Sequence, residues 1–174
     1  MRRSNALGFT IIEMMVVVAI VTVLASVAAP NLSQFLAARQ AEDVARHVSE
    51  DVAFGRSEAV KRNAPVLFCA RSSGACAAAP ATGDWAQGWR VCYDLNADGS
   101  CDATGASDPN PMRSRSATAT NLQFTGPLSG LRFNPDGTIT SADLTEFTVL
   151  GAGTPGVRWI VRIAASGAVS VRKG

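Results

Sequence analysis

The chain has 174 residues, 47% of them hydrophobic and 17% charged, which is one domain's worth on the usual scale of roughly 100–200 residues and excludes a disordered tail or a collagen-like fibre. Its net charge of +2 rests on Arg2 and Arg3: without them the 16 basic residues fall to 14, against 14 acids. The rest of the chain is thus neutral, and any nucleic-acid binding needs a local patch.

In chain order, the basic leader Met1–Gly8 comes first, followed by an apolar run, Phe9–Ala29, broken only by Glu13 and a few hydroxyls. The run is about as long as the roughly 20 residues a bilayer crossing needs. A secretory signal carries a shorter apolar core of about 7–15 residues. A charge deep in lipid costs a few kcal/mol, so Glu13 calls for a partner. Gly8, the stretch Phe9-Thr-Ile-Ile-Glu13 and the following Met14-Met-Val-Val-Val18 resemble the class III leader of type IV prepilins and type II pseudopilins, with Pro30 where that family has a proline. The resemblance implies that a prepilin peptidase cuts after Gly8 and methylates the new amino group of Phe9. The other partners it implies are minor and major pilins in a filament and an inner-membrane assembly platform. A buried carboxylate is tolerated when paired, and the α-amino group of a neighbouring subunit is the natural partner for Glu13.

Beyond Pro30 the sequence becomes amphipathic. Leu32, Phe35, Leu36, Ala41, Val44, Val48, Val52 and Ala59 recur at three-to-four spacing, while Arg39, Glu42, Asp43, Arg46, Glu50, Asp51 and Lys61 fill the other face. Glu42–Arg46 and Glu58–Arg62 are i,i+4 pairs in the favourable order. One helix is predicted from about Phe9 to Arg62, kinked or loosened at Pro30 and ended by Asn63-Ala64-Pro65. The chain thus divides into a leader (1–8), a transmembrane or filament-core helix (9–29), an amphipathic helical half (30–62) and a β-rich periplasmic head (63–174).

Strand and turn signals fill that head. Val66–Phe68 is a short apolar run, and Trp89, Val91, Tyr93 and Leu95 alternate onto one face. Residues 103–118 read as a long exposed loop. Leu131–Phe133 precedes the turn Asn134–Gly137, and Phe147–Val149 follows. Val157, Trp159, Val161 and Ile163 share one side of a strand that forms a hairpin with Ala168–Arg172. With no crossover helix between strands, the sheet is predicted to be antiparallel and the fold class α+β.

The stretch Trp85-Ala-Gln-Gly-Trp89-Arg-Val-Cys-Tyr-Asp94 resembles a signature of the H-type pseudopilin and FimT/FimU minor pilin family, and the basic run Arg56–Arg62 and Phe133–Gly137 fit that family's order. The simplest role for the tryptophans is core packing.

All four cysteines, Cys69, Cys76, Cys92 and Cys101, follow the apolar run, and the basic leader stays in the cytoplasm by the positive-inside tendency. They therefore face the periplasm, where disulfides persist. Of the three possible pairings, Cys69–Cys76 and Cys92–Cys101 are favoured because each brackets a glycine-containing loop. Zinc is the rival use of these thiols. No pair has the two-residue spacing of structural zinc sites, and the sole histidine, His47, is a surface residue of the helix. Asp94, Asn96 and Asp98 begin a D-x-N-x-D-G calcium-type loop, but Gly105 stands where the bidentate glutamate belongs, so a polar turn clipped by a disulfide is expected rather than a metal site.

No nucleophile elbow, phosphate loop or zinc-protease motif is present, and no enzyme or cofactor is expected. The resemblance leaves three functions open. The first is a minor pilin at or near a type IV pilus tip that primes assembly, and the second an H-type pseudopilin of a type II secretion system. The third is a DNA-binding minor pilin for uptake, with Arg158, Arg162, Arg172 and Lys173 as the basic patch. FimT-type relatives carry a G-R-x-R motif near the C-terminus, and Gly167–Lys173 departs from it at Ala168 and Ser170.

Overall fold

The computed structural model describes residues 9–71, 85–96, 98–102, 111–116, 122–127, 130–140, 145–151 and 157–174, apart from the side chains of 27–31. Two compact units emerge, one reaching to Leu36 and the other Ala37–Gly174.

Helix α1, Ile11–Arg62, belongs to both units and continues through Pro30. In the first unit every described side chain from Phe9 to Leu36 is exposed, including Leu32, Phe35 and Leu36, which the periodicity had assigned to a packed face. Helical spacing thus reports an apolar stripe but not its partner. Among the described residues no helix is long and apolar enough to cross a membrane.

In the second unit, α1 buries a stripe of small residues: Ala37, Ala41, Ala45, Val48, Val52, Gly55 and Ala59. A Cβ on Gly55 would lie 3.2 Å from the Phe133 ring and 3.3 Å from Val91, so the helix axis sits close to the sheet beneath it. The helix ends where the sequence indicates. Asn63 takes φ 50°, its N–H bonds the Val60 carbonyl and the Ala64 N–H reaches back to Ala59, a Schellman cap with asparagine in the left-handed position before Pro65.

Among the described residues nine strands follow: β1 Val66–Ala70, β2 Trp89–Tyr93, β3 Arg113–Arg115, β4 Leu122–Thr125, β5 Leu131–Phe133, β6 Ile139–Thr140, β7 Glu146–Gly151, β8 Arg158–Ile163 and β9 Val169–Lys173. They form two antiparallel sheets, ordered β3-β2-β1-β5-β6 and β4-β7-β8-β9. Register explains which residues meet. Val66 opposes Tyr93 and Phe133, and Phe68 opposes Val91 and Leu131, so these side chains share the core face with the helix stripe. In the second sheet Phe124 opposes Val149, and Phe147 opposes Val161. An aromatic cluster joins the two sheets: Phe68, Phe124 and Phe147 surround Trp85, whose indole N–H donates to the Pro127 carbonyl at 3.1 Å, and Trp89 packs on Phe68 and Phe124.

Two sequence expectations need correction. Leu95 is 58% exposed because β2 ends at Tyr93. The loop expected over 103–118 contains β3, whose short, polar, alternating sequence gave no apolar signal.

Candidate functional site

At the start of α1, Gly8 lies outside the described residues, and Phe9 is 79% exposed. Thr10 is the N-cap. Its N–H and hydroxyl both donate to Glu13 Oε2, at 3.4 and 3.5 Å, while the Glu13 N–H donates to the Thr10 hydroxyl at 3.3 Å. This is a capping box, legible as T-x-x-E yet missed in the sequence. The isolated chain thus already satisfies the Glu13 carboxylate locally.

The strongest polar constellation is one the sequence reading placed in solvent. Asp51 is fully buried on α1. It accepts hydrogen bonds from the indole of Trp89 (2.9 Å), from Arg113 (2.9 Å) and from Arg115 (2.7 Å). Burial by itself raises the Asp51 pKa, and the hydrogen bonds from Arg115, Arg113 and Trp89 outweigh it, holding the carboxyl below its ordinary value. The same pairing raises the Arg115 pKa. Arg113 also lies over the Phe54 ring, 3.7 Å from its centroid. Helical phase could have revealed Asp51, since it stands three residues after Val48 and four before Gly55, on the buried side.

The glycine of the tryptophan signature belongs to this constellation. Gly88 has φ 97°, and a Cβ there would come within 2.3 Å of the Arg115 carbonyl, so only glycine lets the Trp85–Trp89 turn pass this close to β3.

Cys92 and Cys101 form a disulfide, Cα atoms 5.5 Å apart. Cys69 is also disulfide-bonded, and Cys76, its expected partner, lies outside the described residues. The sulfurs of Cys69, Cys92 and Cys101 lie within 4.8 Å of one another in a small cluster with Leu67, on the sheet face away from the main core. As disulfides they are not thiolate ligands.

In the calcium-type loop the side-chain oxygens of Asn96, Asp98 and Asp102 accept the loop's own N–H groups, whereas those of Asp94 accept no hydrogen bond among the described residues. Buried Asp94 faces Arg132 at 3.6 Å. Asn96 Oδ1 accepts the Asp98 N–H at 3.1 Å, Asp98 Oδ1 accepts the Ser100 N–H at 2.8 Å, and Asp102 accepts the Leu95 N–H. Among the described residues these carboxylates do not converge on a common point.

The basic patch is divided. Arg158 and Arg162 project from the outer face of β8, and Arg172, opposite Ile160, shares that face. Arg162 is engaged by Glu146 at 2.7 Å, and Lys173, opposite Trp159, lies on the other face. His47 is half-buried on α1 beside the Asp51 cluster rather than on open surface.

A long N-terminal helix whose later part packs on antiparallel sheets, led by an apolar segment beginning at Phe9, is the type IV pilin fold. The chain belongs to the GspH family of type II transport proteins, whose model matches residues 44–167. Residues 3–29 match the prokaryotic N-terminal methylation motif. The fold is similar to the Pseudomonas aeruginosa type IV minor pilin FimU, with TM-score 0.57, 19% identity, and 77% of this chain and 89% of that one covered. It is also similar to the minor pseudopilin EpsH of the Vibrio cholerae type 2 secretion system, with TM-score 0.54, 12% identity, and 77% and 97% covered. No curated protein matches the sequence.

Proposed function

We propose that the chain is a minor pilin of a type IV pilus. It is cut after Gly8 by prepilin peptidase, methylated at Phe9 and held in the inner membrane through 9–29, with its head, 63–174, in the periplasm. It then enters the filament at or near the tip and primes assembly with other minor and major pilins on the inner-membrane platform. The observation that carries this reading is the first unit: an apolar helical segment with every described side chain exposed and one carboxylate, Glu13, near its start. Such a surface needs lipid or other helices around it. In the filament the Glu13 carboxylate exchanges the Thr10 cap for the amino group of a neighbour.

Mass spectrometry of the protein from cells is expected to find methylated Phe9 at the N-terminus, and Glu13→Ala to be processed but largely missing from sheared filaments. An intact leader, or normal incorporation of Glu13→Ala, refutes the reading. The H-type pseudopilin alternative is favoured by the GspH match and by the likeness to EpsH. Deletion in the native host separates the two: loss of piliation supports the pilus, and loss of protein secretion supports the pseudopilin. The DNA-uptake reading retains only Arg158 and Arg172 as outer-face cations not engaged by Glu146.

A further inference from the structure

Asp51 brings two guanidinium groups together but needs only one for neutrality. Arg113 and Arg115 stand two residues apart on β3, so their side chains leave the same face of the strand. Both bond the single buried carboxylate of Asp51, yet their side chains are 43% and 36% exposed. Arg113 gives Asp51 one N–H and Arg115 gives it two, out of the five that each guanidinium carries. The next acid, Glu50, is 4.0 Å from Arg115 and half-exposed. With Val44, His47, Trp89, Ser114 and Ser116, the two arginines line a cleft of about 600 Å³, and most of their N–H donors are not used by Asp51.

The two arginines are also held in place before any ligand arrives. Hydrogen bonds to a fully buried carboxylate fix both, and the Phe54 ring supports Arg113. Much of the side-chain entropy that an arginine loses on binding is therefore already lost. A fixed, planar donor fork matches the two oxygens of a carboxylate.

The strand that carries them supplies a second reason. β3 is an end strand of its sheet, paired with β2 and with no second neighbour among the described residues. An edge of this kind takes an added strand through main-chain hydrogen bonds, and side chains at alternate positions set the choice of partner.

We infer that this cleft binds an extended acidic peptide segment, which adds to the edge of β3 and sets carboxylates two residues apart against Arg113 and Arg115. In a filament a neighbouring subunit supplies the segment, but the site does not depend on the pilus reading, and its test does not require assembly.

The test uses the full mature chain in detergent micelles, with its tryptophans 15N-labelled, and follows the indole signals. The Trp89 indole bonds Asp51 and lines the cleft, whereas the Trp85 indole bonds Pro127 inside the core. The probe is a blocked peptide, acetyl-Glu-Val-Glu-Val-Glu-amide. It should shift the Trp89 signal saturably, leave Trp85 in place and weaken steeply with salt. The same peptide with glutamine for glutamate should bind at least about tenfold more weakly, the loss of one charge-assisted hydrogen bond. This control leaves the protein unaltered, so the test does not depend on a variant folding. Arg113→Gln, in which Arg115 still neutralises Asp51, should show a similar loss with an unchanged Trp85 signal. Equal binding of the glutamine peptide, no shift at Trp89, or full affinity in a folded Arg113→Gln variant overturns the inference. So does duplex DNA that moves Trp89 at lower concentration than the peptide.

Discussion

Replacing Asp51 by alanine removes the acceptor shared by Trp89, Arg113 and Arg115, and the cost can be estimated group by group. The Trp89 indole is 2% exposed, and a buried donor left unsatisfied costs about 1–3 kcal/mol. The two arginines reach solvent and can rehydrate, so each contributes at most about 0.5–1 kcal/mol. The sum is about 3 kcal/mol, which for a unit of this size lowers Tm by about 10 °C. Asp51→Asn keeps a carbonyl for Trp89 but loses the charge, and should cost about half as much. Acid gives a second signature. The folded-state pKa lies below that of an ordinary aspartate, so the carboxylate's contribution is complete above the ordinary value and disappears as pH falls through the folded one. The gap between wild type and Asp51→Asn should therefore close at low pH. Thermal unfolding of residues 37–174, which contain the whole described core, followed by near-UV circular dichroism at pH 7 and in acid, measures both effects. A fall of under about 3 °C for Asp51→Ala, or an Asp51→Asn gap that persists unchanged in acid, refutes the reasoning.

Three further outcomes are expected. A Cβ on Gly126 would lie 2.3 Å from the Phe147 ring and 2.8 Å from the Trp85 indole nitrogen, so Gly126→Ala should destabilise by about 1–3 kcal/mol in urea unfolding, and a neutral result contradicts the packing described. Non-reducing peptide mapping should recover Cys92–Cys101 and Cys69–Cys76 with no free thiol. Cys92→Ser with Cys101→Ser should cost roughly 2–3 kcal/mol for so short a loop. In a gel shift with duplex DNA at physiological salt no complex is expected, because two arginines on a nearly neutral molecule release few counterions; a complex abolished by Arg158→Ala with Arg172→Ala restores the DNA-uptake reading.

Elements whose apolar residues repeat were legible from sequence. The helix, its stop at Asn63, β1, β2, β5 and the β8–β9 hairpin all announced themselves by a period of 3.6 or 2, or by a turn residue. The leader, too, was visible as a carboxylate stranded in an apolar run. What escaped were features whose meaning depends on a distant partner. Asp51 reads as a surface charge until Trp89 and the arginines of β3 close over it, and β3 itself is polar because its arginines face that carboxylate rather than a core. Lys173 was joined to the wrong patch because face assignment depends on register, and its pairing with Trp159 turns it away from Arg158.

The aromatic cluster between the sheets has an optical consequence. Trp85 and Trp89 each pack against Phe68 and Phe124, rings supplied by opposite sheets, at centroid distances of 5.5 to 6.3 Å. Coupling between rings at such distances falls off steeply as they separate, so the near-ultraviolet dichroism of these two indoles acts as a built-in gauge of the gap between the sheets. Trp159, on β8 outside that cluster, supplies an internal reference. A change in the spacing of the sheets thus registers in the chain's own near-ultraviolet dichroism, with no dye attached.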